Sequence, residues 1–140
     1  MYQGTESAGA RGGAGTMGHD LPLEGRRILV VEDEALVALD LEMTLEAAGA
    51  EVVGPCATLA AGLALAGEAA LDGAVLDILL GRDEVFPIAD VLQRRGVGIV
   101  FHSGHADPDE LRAAYPGAAV CVKPSLPHVL LARMGSVVGS

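Results

Sequence analysis

Five apolar runs of strand length recur along the chain, and none keeps up a polar alternation: "RILVV" (27–31), "EVVGPC" (51–56), "GAVLDILL" (73–80), "GIVFHSG" (98–104) and "AAVCV" (118–122). A strand without alternation is buried on both faces. Each run is followed by a segment with helical marks. In "EALVALDLEMTLEAAG" (34–49), Val37, Leu41, Leu45 and Ala48 share one face, and Gly49 is the natural stop. "TLAAGLALAG" starts from a Thr58 cap, and "DEVFPIADVLQRRG" ends at Gly96. "DPDELRAAY" has Asp107 as N-cap, Pro108 at the first helical position and Glu110 three residues after the cap. "SLPHVLLARM" closes the series with Ser125 as its expected cap. Strand then helix, five times over, predicts a parallel sheet covered by helices on both faces, a doubly wound α/β domain.

Composition narrows this further. The chain has 140 residues, one domain's worth, and is 51% hydrophobic but only 3% aromatic, so its core must be aliphatic. Residues 1–25 are rich in Gly, Ala, Ser and Thr without apolar periodicity. They read as a flexible tail ahead of an ordered domain over 26–140. No apolar run reaches membrane-spanning length, and the N-terminus lacks the order of a signal peptide, so no membrane association is expected. A net charge of −10 opposes nucleic acid as a partner and suits a cation or a basic protein surface. Two distant cysteines make no disulfide framework, and a reducing cytoplasm is the expected location.

In doubly wound folds ligands bind beyond the carboxyl ends of the strands. Glu32, Asp33 and Glu34 follow the first run, and Asp77 interrupts the third. Ser103 ends the fourth, and Lys123 follows the fifth. Lys123 is the only lysine; the other eight basic side chains are Arg. A compact ammonium on a flexible stem suits a small anion where a planar guanidinium does not. Asp33 and Glu34 also suit the first turn of a helix. Asp77, within an apolar run, is costly without a role. Carboxylates about 4 Å apart repel by roughly 4 kcal/mol per pair at an effective dielectric near 20. A divalent cation relieves that, and an all-oxygen set with few protein ligands favours Mg²⁺. A carboxylate there can attack a phosphoryl group, with Lys123 and Ser103 meeting the phosphoryl oxygens.

These residues together resemble a response-regulator receiver domain of the CheY-like superfamily. The likeness rests on "ILVVEDE" with Glu32 and Asp33, "VLDILL" with Asp77, "FHSG" with Ser103, and "VKP" with Lys123, over about residues 26–135. It implies a flavodoxin-like sheet of order 2-1-3-4-5 and Asp77 as phosphoacceptor. It implies Mg²⁺ held by Asp33, Asp77 and the backbone carbonyl of Leu79, with Glu32 acting through water. It also implies a cis peptide before Pro124. The implied partner is a sensor histidine kinase or a histidine phosphotransfer protein. "EALVALDLE", "VVGP" and "FPIADVL" resemble receivers that work with HWE/HisKA_2-type kinases. The strand order would put Cys56 and Cys121 at opposite edges, beyond reach of a disulfide.

Two positions depart from the usual pattern. Val120 stands where receivers carry an aromatic switch residue, and Gly104 follows Ser103 in place of Ala. With no aromatic rotor, residues 104–117 are the expected moving part, anchored mainly by Leu111. Rival chemistries lack their residues: Leu79 stands where a haloacid-dehalogenase-type phosphatase has its second Asp, and no G-x-S-x-G is present. His102 and His105 alone do not make a zinc site. A phosphorylation-independent protein-binding module, a pseudo-receiver, is the remaining alternative. No output domain is expected after Ser140. The expected role is that of a phosphoacceptor and not a turnover enzyme.

Overall fold

The computed structural model describes residues 21–139. Five parallel strands form one sheet: β1 (Arg27–Val31), β2 (Glu51–Cys56), β3 (Gly73–Leu76), β4 (Gly98–Ser103) and β5 (Ala119–Val122). Their order is β2-β1-β3-β4-β5, as expected. The helices are α1 (Ala35–Ala47), α2 (Leu59–Glu68), α3 (Phe86–Arg94), α4 (Pro108–Ala114) and α5 (Pro127–Val137).

Because side chains alternate across a strand, the unbroken apolar runs feed two cores. Ile28, Val30, Val75, Val100 and Cys121 pack under α1 and α5 with Leu41, Leu45, Leu130 and Met134. Leu29, Val31, Leu76, Phe101 and Val120 pack on the other face with residues of α2, α3 and α4. Each fully buried aliphatic side chain contributes about 1.5–3 kcal/mol. Cys56 and Cys121 are free and lie on opposite edge strands.

Several local expectations change. The tail falls outside the described residues for 1–20, but its last part is packed: Leu23 is buried, and its N–H donates to Ala48 O at 2.8 Å. Order therefore begins upstream of Arg26, because the end of α1 leaves an apolar site that Leu23 fills. The third run does not continue as a strand to residue 80. β3 stops at Leu76, and Leu79–Leu80 turn back antiparallel to Asp83–Glu84. Ser125 does not cap α5, whose N-cap is Leu126 with no side-chain hydrogen bond. Leu111 is not the main anchor of its segment alone. Tyr115 is also buried, stacks on Phe86 and donates to Asp90 Oδ1 at 2.7 Å.

The segment read as a helix from Asp83 becomes helical only at Phe86, because Asp83 and Glu84 pair with Leu80 and Leu79. The cap signals at Thr58 and Asp107 act as read. Thr58 Oγ1 accepts the Ala61 N–H, and Asp107 Oδ1 accepts the Asp109 N–H. Gly54 takes φ +94, and the β1–β2 register shifts there, so that Val31 pairs with Cys56. The peptide bonds before Pro55 and Pro124 are cis.

Candidate functional site

The parallel strands deliver their carboxyl ends to one edge, so residues far apart in sequence meet there. Glu32 and Asp33 leave β1, Asp77 leaves β3, Ser103 ends β4 and Lys123 follows β5. Asp33, Glu34, Asp77, Leu79, Ser103 and Lys123 line a single cleft of about 580 Å³. The backbone ladder sets the registration: Asp77 N–H donates to Val31 O at 2.9 Å, and Lys123 N–H donates to Ser103 O at 2.9 Å.

Lys123 Nζ lies 3.1 Å from Glu32 Oε1 and 3.6 Å from Asp77 Oδ1. Glu32 is almost wholly buried, and its other oxygen accepts the Glu34 N–H at 3.2 Å. Burial, and then a hydrogen bond shared with Asp77, raise the Glu32 carboxyl to about 7, against the pull of Glu34 N–H and Lys123. Burial alone would lower the Lys123 ammonium, but Glu32 and Asp77 raise it, so it stays charged. Asp33 is exposed and accepts the Gly81 N–H at 2.9 Å, which ties the loop after β3 to the end of β1. Ser103 Oγ accepts the N–H groups of His105 and Ala106, each at 3.3 Å.

Glu32, Asp33 and Asp77 each offer a carboxylate oxygen within 4.8 Å of the others. Three hard oxygen donors converging on one point, two of them in an open cleft, fit a divalent cation that keeps part of its water shell. The structure thus brings all six residues singled out in the sequence to one place.

Sequence reasoning weighed His102 only as a zinc ligand and Ser125 only as a helix cap, and missed their pairing beside the cleft. His102 is buried at the end of β4, and its Nε2 lies 2.9 Å from Ser125 Oγ, while Nδ1 has no hydrogen-bond partner. Burial and then the nearby Lys123 charge lower its imidazole to about 4, so the ring is neutral at pH 7. The visible signal was a His inside the apolar run "GIVFHSG". Its partner Ser125 was absorbed into the reading as a helix cap.

No family model and no curated protein sequence matches the chain. Solved structures do. A response regulator receiver protein from Sinorhizobium medicae is 29% identical, with TM-score 0.74, covering 83% of this chain and 96% of that one. A CheY-like receiver domain protein from Methanospirillum hungatei is 27% identical, with TM-score 0.72, covering 82% and 94%. A response regulator from Burkholderia pseudomallei, solved with a phosphorylated aspartic acid, a calcium ion and citrate, is 25% identical, with TM-score 0.66, covering 78% and 66%. The fold, its strand order and these likenesses support placing the chain in the superfamily of CheY-like response-regulator receiver domains.

Proposed function

We propose that this domain accepts a phosphoryl group on Asp77 and signals through the change that follows. The observation that carries the reading is the convergence of one lysine with Glu32 and Asp77, at 3.1 and 3.6 Å, in an open cleft that Ser103 also lines. An Asp77 oxygen attacks phosphorus in line. The bond from phosphorus to a donor imidazole nitrogen, or to the acetate oxygen of acetyl phosphate, breaks as the acyl phosphate forms. The leaving group departs with the bonding pair, and a departing imidazole takes up a proton from solvent. Lys123 and the Ser103 hydroxyl donate to the phosphoryl oxygens, whose charge would otherwise face Glu32 and Asp33. Asp33, Asp77, the Leu79 carbonyl and, through water, Glu32 are assigned to Mg²⁺. When bound, the ion offsets the charge of the carboxylates and of the incoming phosphoryl group. The phosphorylated aspartate and calcium of the Burkholderia protein support this assignment by analogy.

The donor is assigned as a histidine kinase or a histidine phosphotransfer protein. Leu36, Leu39 and Met43 leave an apolar stripe exposed along α1. Such a stripe next to the cleft suits a protein donor. The HWE/HisKA_2 type rests on the sequence resemblance. A phosphoacceptor of this kind is regenerated by hydrolysis and does not turn over a substrate. Location in the cytoplasm follows from the donor assigned. Among the described residues, no helix is long and apolar enough to cross a membrane.

Incubation with acetyl phosphate and Mg²⁺ tests the reading by intact mass. One phosphoryl group should be added to the native chain and none to Asp77→Asn. An adduct that survives in Asp77→Asn sinks the assignment. No adduct from any donor points to the phosphorylation-independent module. Phosphotransfer profiling against HWE/HisKA_2-type kinases and against other histidine kinases then tests that type.

A further inference from the structure

A polar side chain sits where the fold alone would place a Val or Ile. His102 follows Phe101 in an otherwise apolar strand, is 4% exposed, and leaves Nδ1 without a partner. Buried polar groups are nearly always satisfied, and a half-satisfied one weakens a core. Stability therefore gives no reason for an imidazole here. Its one contact does. Alternation along β4 turns His102 to the side of Val100, toward α1 and α5, where Ser125 approaches from the turn after β5.

That turn carries Lys123. β5 is an edge strand of four residues, and its last cross-strand bond runs from Lys123 N–H to Ser103 O. The next bond along the chain that reaches β4 is the Ser125–His102 pair. Ser125 stands one residue before the N-cap of α5, where its hydroxyl could serve the helix, yet it is turned to β4 instead. With the proton on Nε2, the ring donates to Ser125 Oγ and leaves only a lone pair at Nδ1.

We propose that His102 is a positioning residue for phosphoryl acceptance: it holds Ser125 at the end of β4 and so fixes the turn that aims Lys123, beside the neighbouring Ser103. This rests on the phosphoacceptor reading. The pair touches none of the carboxylates assigned to the metal. It therefore governs the anion side of the site and leaves the cation side alone. Small errors in placing such groups are expensive in rate.

The test uses Ser125→Ala, Ser125→Thr and His102→Leu in the full chain. With acetyl phosphate and saturating Mg²⁺, Ser125→Ala and His102→Leu should phosphorylate about tenfold more slowly. Mg²⁺ affinity, measured by calorimetry, should be unchanged, and Ser125→Thr should restore the rate. A native rate in Ser125→Ala overturns the proposal. So does failure of Thr to rescue, or a loss of Mg²⁺ affinity in step with the rate. If the native chain takes up no phosphoryl group, the phosphoacceptor reading fails, and NMR judges the latch separately. Ser125→Ala must then shift the His102 ring nitrogens and speed amide exchange at Lys123, with Ser125→Thr reversing both. Unchanged signals overturn the latch.

Discussion

Replacing Asp77 by Asn should make the metal-free protein more stable. The carboxylate oxygens of Glu32, Asp33 and Asp77 lie within 4.8 Å of one another, so at an effective dielectric near 20 each ionised pair repels by at least about 3.5 kcal/mol. Asp77 takes part in two such pairs. Against them stands one attraction, Lys123 Nζ at 3.6 Å, worth about 4.6 kcal/mol on the same scale. The balance, ~7 against ~4.6, leaves roughly 2 kcal/mol of strain in the native carboxylate. Solvent screening of the exposed Asp33 lowers this figure, while burial of the Asp77 side chain, 12% exposed, raises it. The comparison belongs at pH 8, above the Glu32 value of about 7, where all three groups are charged. With a urea slope of about 2 kcal/mol per molar, Asp77→Asn should unfold about 1 M later than the native chain. Mg²⁺ at 100 times its dissociation constant should raise native stability by about 2.7 kcal/mol and the variant's by much less. Equilibrium unfolding followed by circular dichroism, with and without Mg²⁺, measures both. An earlier midpoint for Asp77→Asn, or an equal response of both proteins to Mg²⁺, refutes the account of a repulsive cation site.

His102 is depressed from 6.5 to about 4, chiefly by burial and then by Lys123, with Asp77 and Asp40 opposing. Its contribution, up to ~3 kcal/mol, is present above pH 6.5 and is lost as pH falls from there to about 4. Relative to His102→Leu, the native chain should lose that amount of stability between pH 7 and 4, read from urea midpoints; a constant difference contradicts the burial. Burial and the Asp90 bond raise the Tyr115 phenol to about 12, so the stability it lends is present below pH 10 and lost as pH rises through 12. Its phenolate absorbance should appear only near that pH, and Tyr115→Phe should remove the late step. A Cβ at Gly98 would clash with the Val137 carbonyl oxygen, whereas one at Gly67, inside α2, meets nothing within 4 Å. Gly98→Ala should cost more than about 2 kcal/mol and Gly67→Ala should gain up to ~1 kcal/mol, measured as melting shifts.

The sequence was most legible where one residue type answered one local demand. The apolar runs named all five strands, because burial on both faces leaves no polar alternation to confuse the period, while their order in the sheet came only from the likeness to receiver domains. Asp33, Asp77, Ser103 and Lys123 could be found because each follows its own strand, and parallel strands bring those ends together. What stayed hidden depended on partners far along the chain. Nothing near Leu23 says that Ala48 lies beneath it. Ser125 has the local look of a cap, and only the fold brings His102, 23 residues away, to its hydroxyl. The end of β3 was misjudged because Ile78, Leu79 and Leu80 are as apolar as the strand. They leave it to shape the cleft, and an apolar pattern does not record a change of direction.

The placement of Leu23 has a practical consequence for anyone cutting or joining this domain. A boundary drawn at Arg26, where the apolar periodicity starts, would discard a leucine with no exposed surface and uncover the end of α1 beneath it. That loss is on the order of 2–3 kcal/mol, a sizeable part of the whole stability of a small domain. A protease should accordingly leave the chain from Leu23 onward uncut in the folded protein. The same packing decides where attachments emerge. Leu23 rests on Ala48, and Arg26 reaches the Gly139 carbonyl at 3.1 Å, so both ends of the described chain leave from the amino edge of the sheet. The cleft opens at the opposite edge. An attachment made at Leu21 or at Gly139 starts at the far end of the sheet from Asp77.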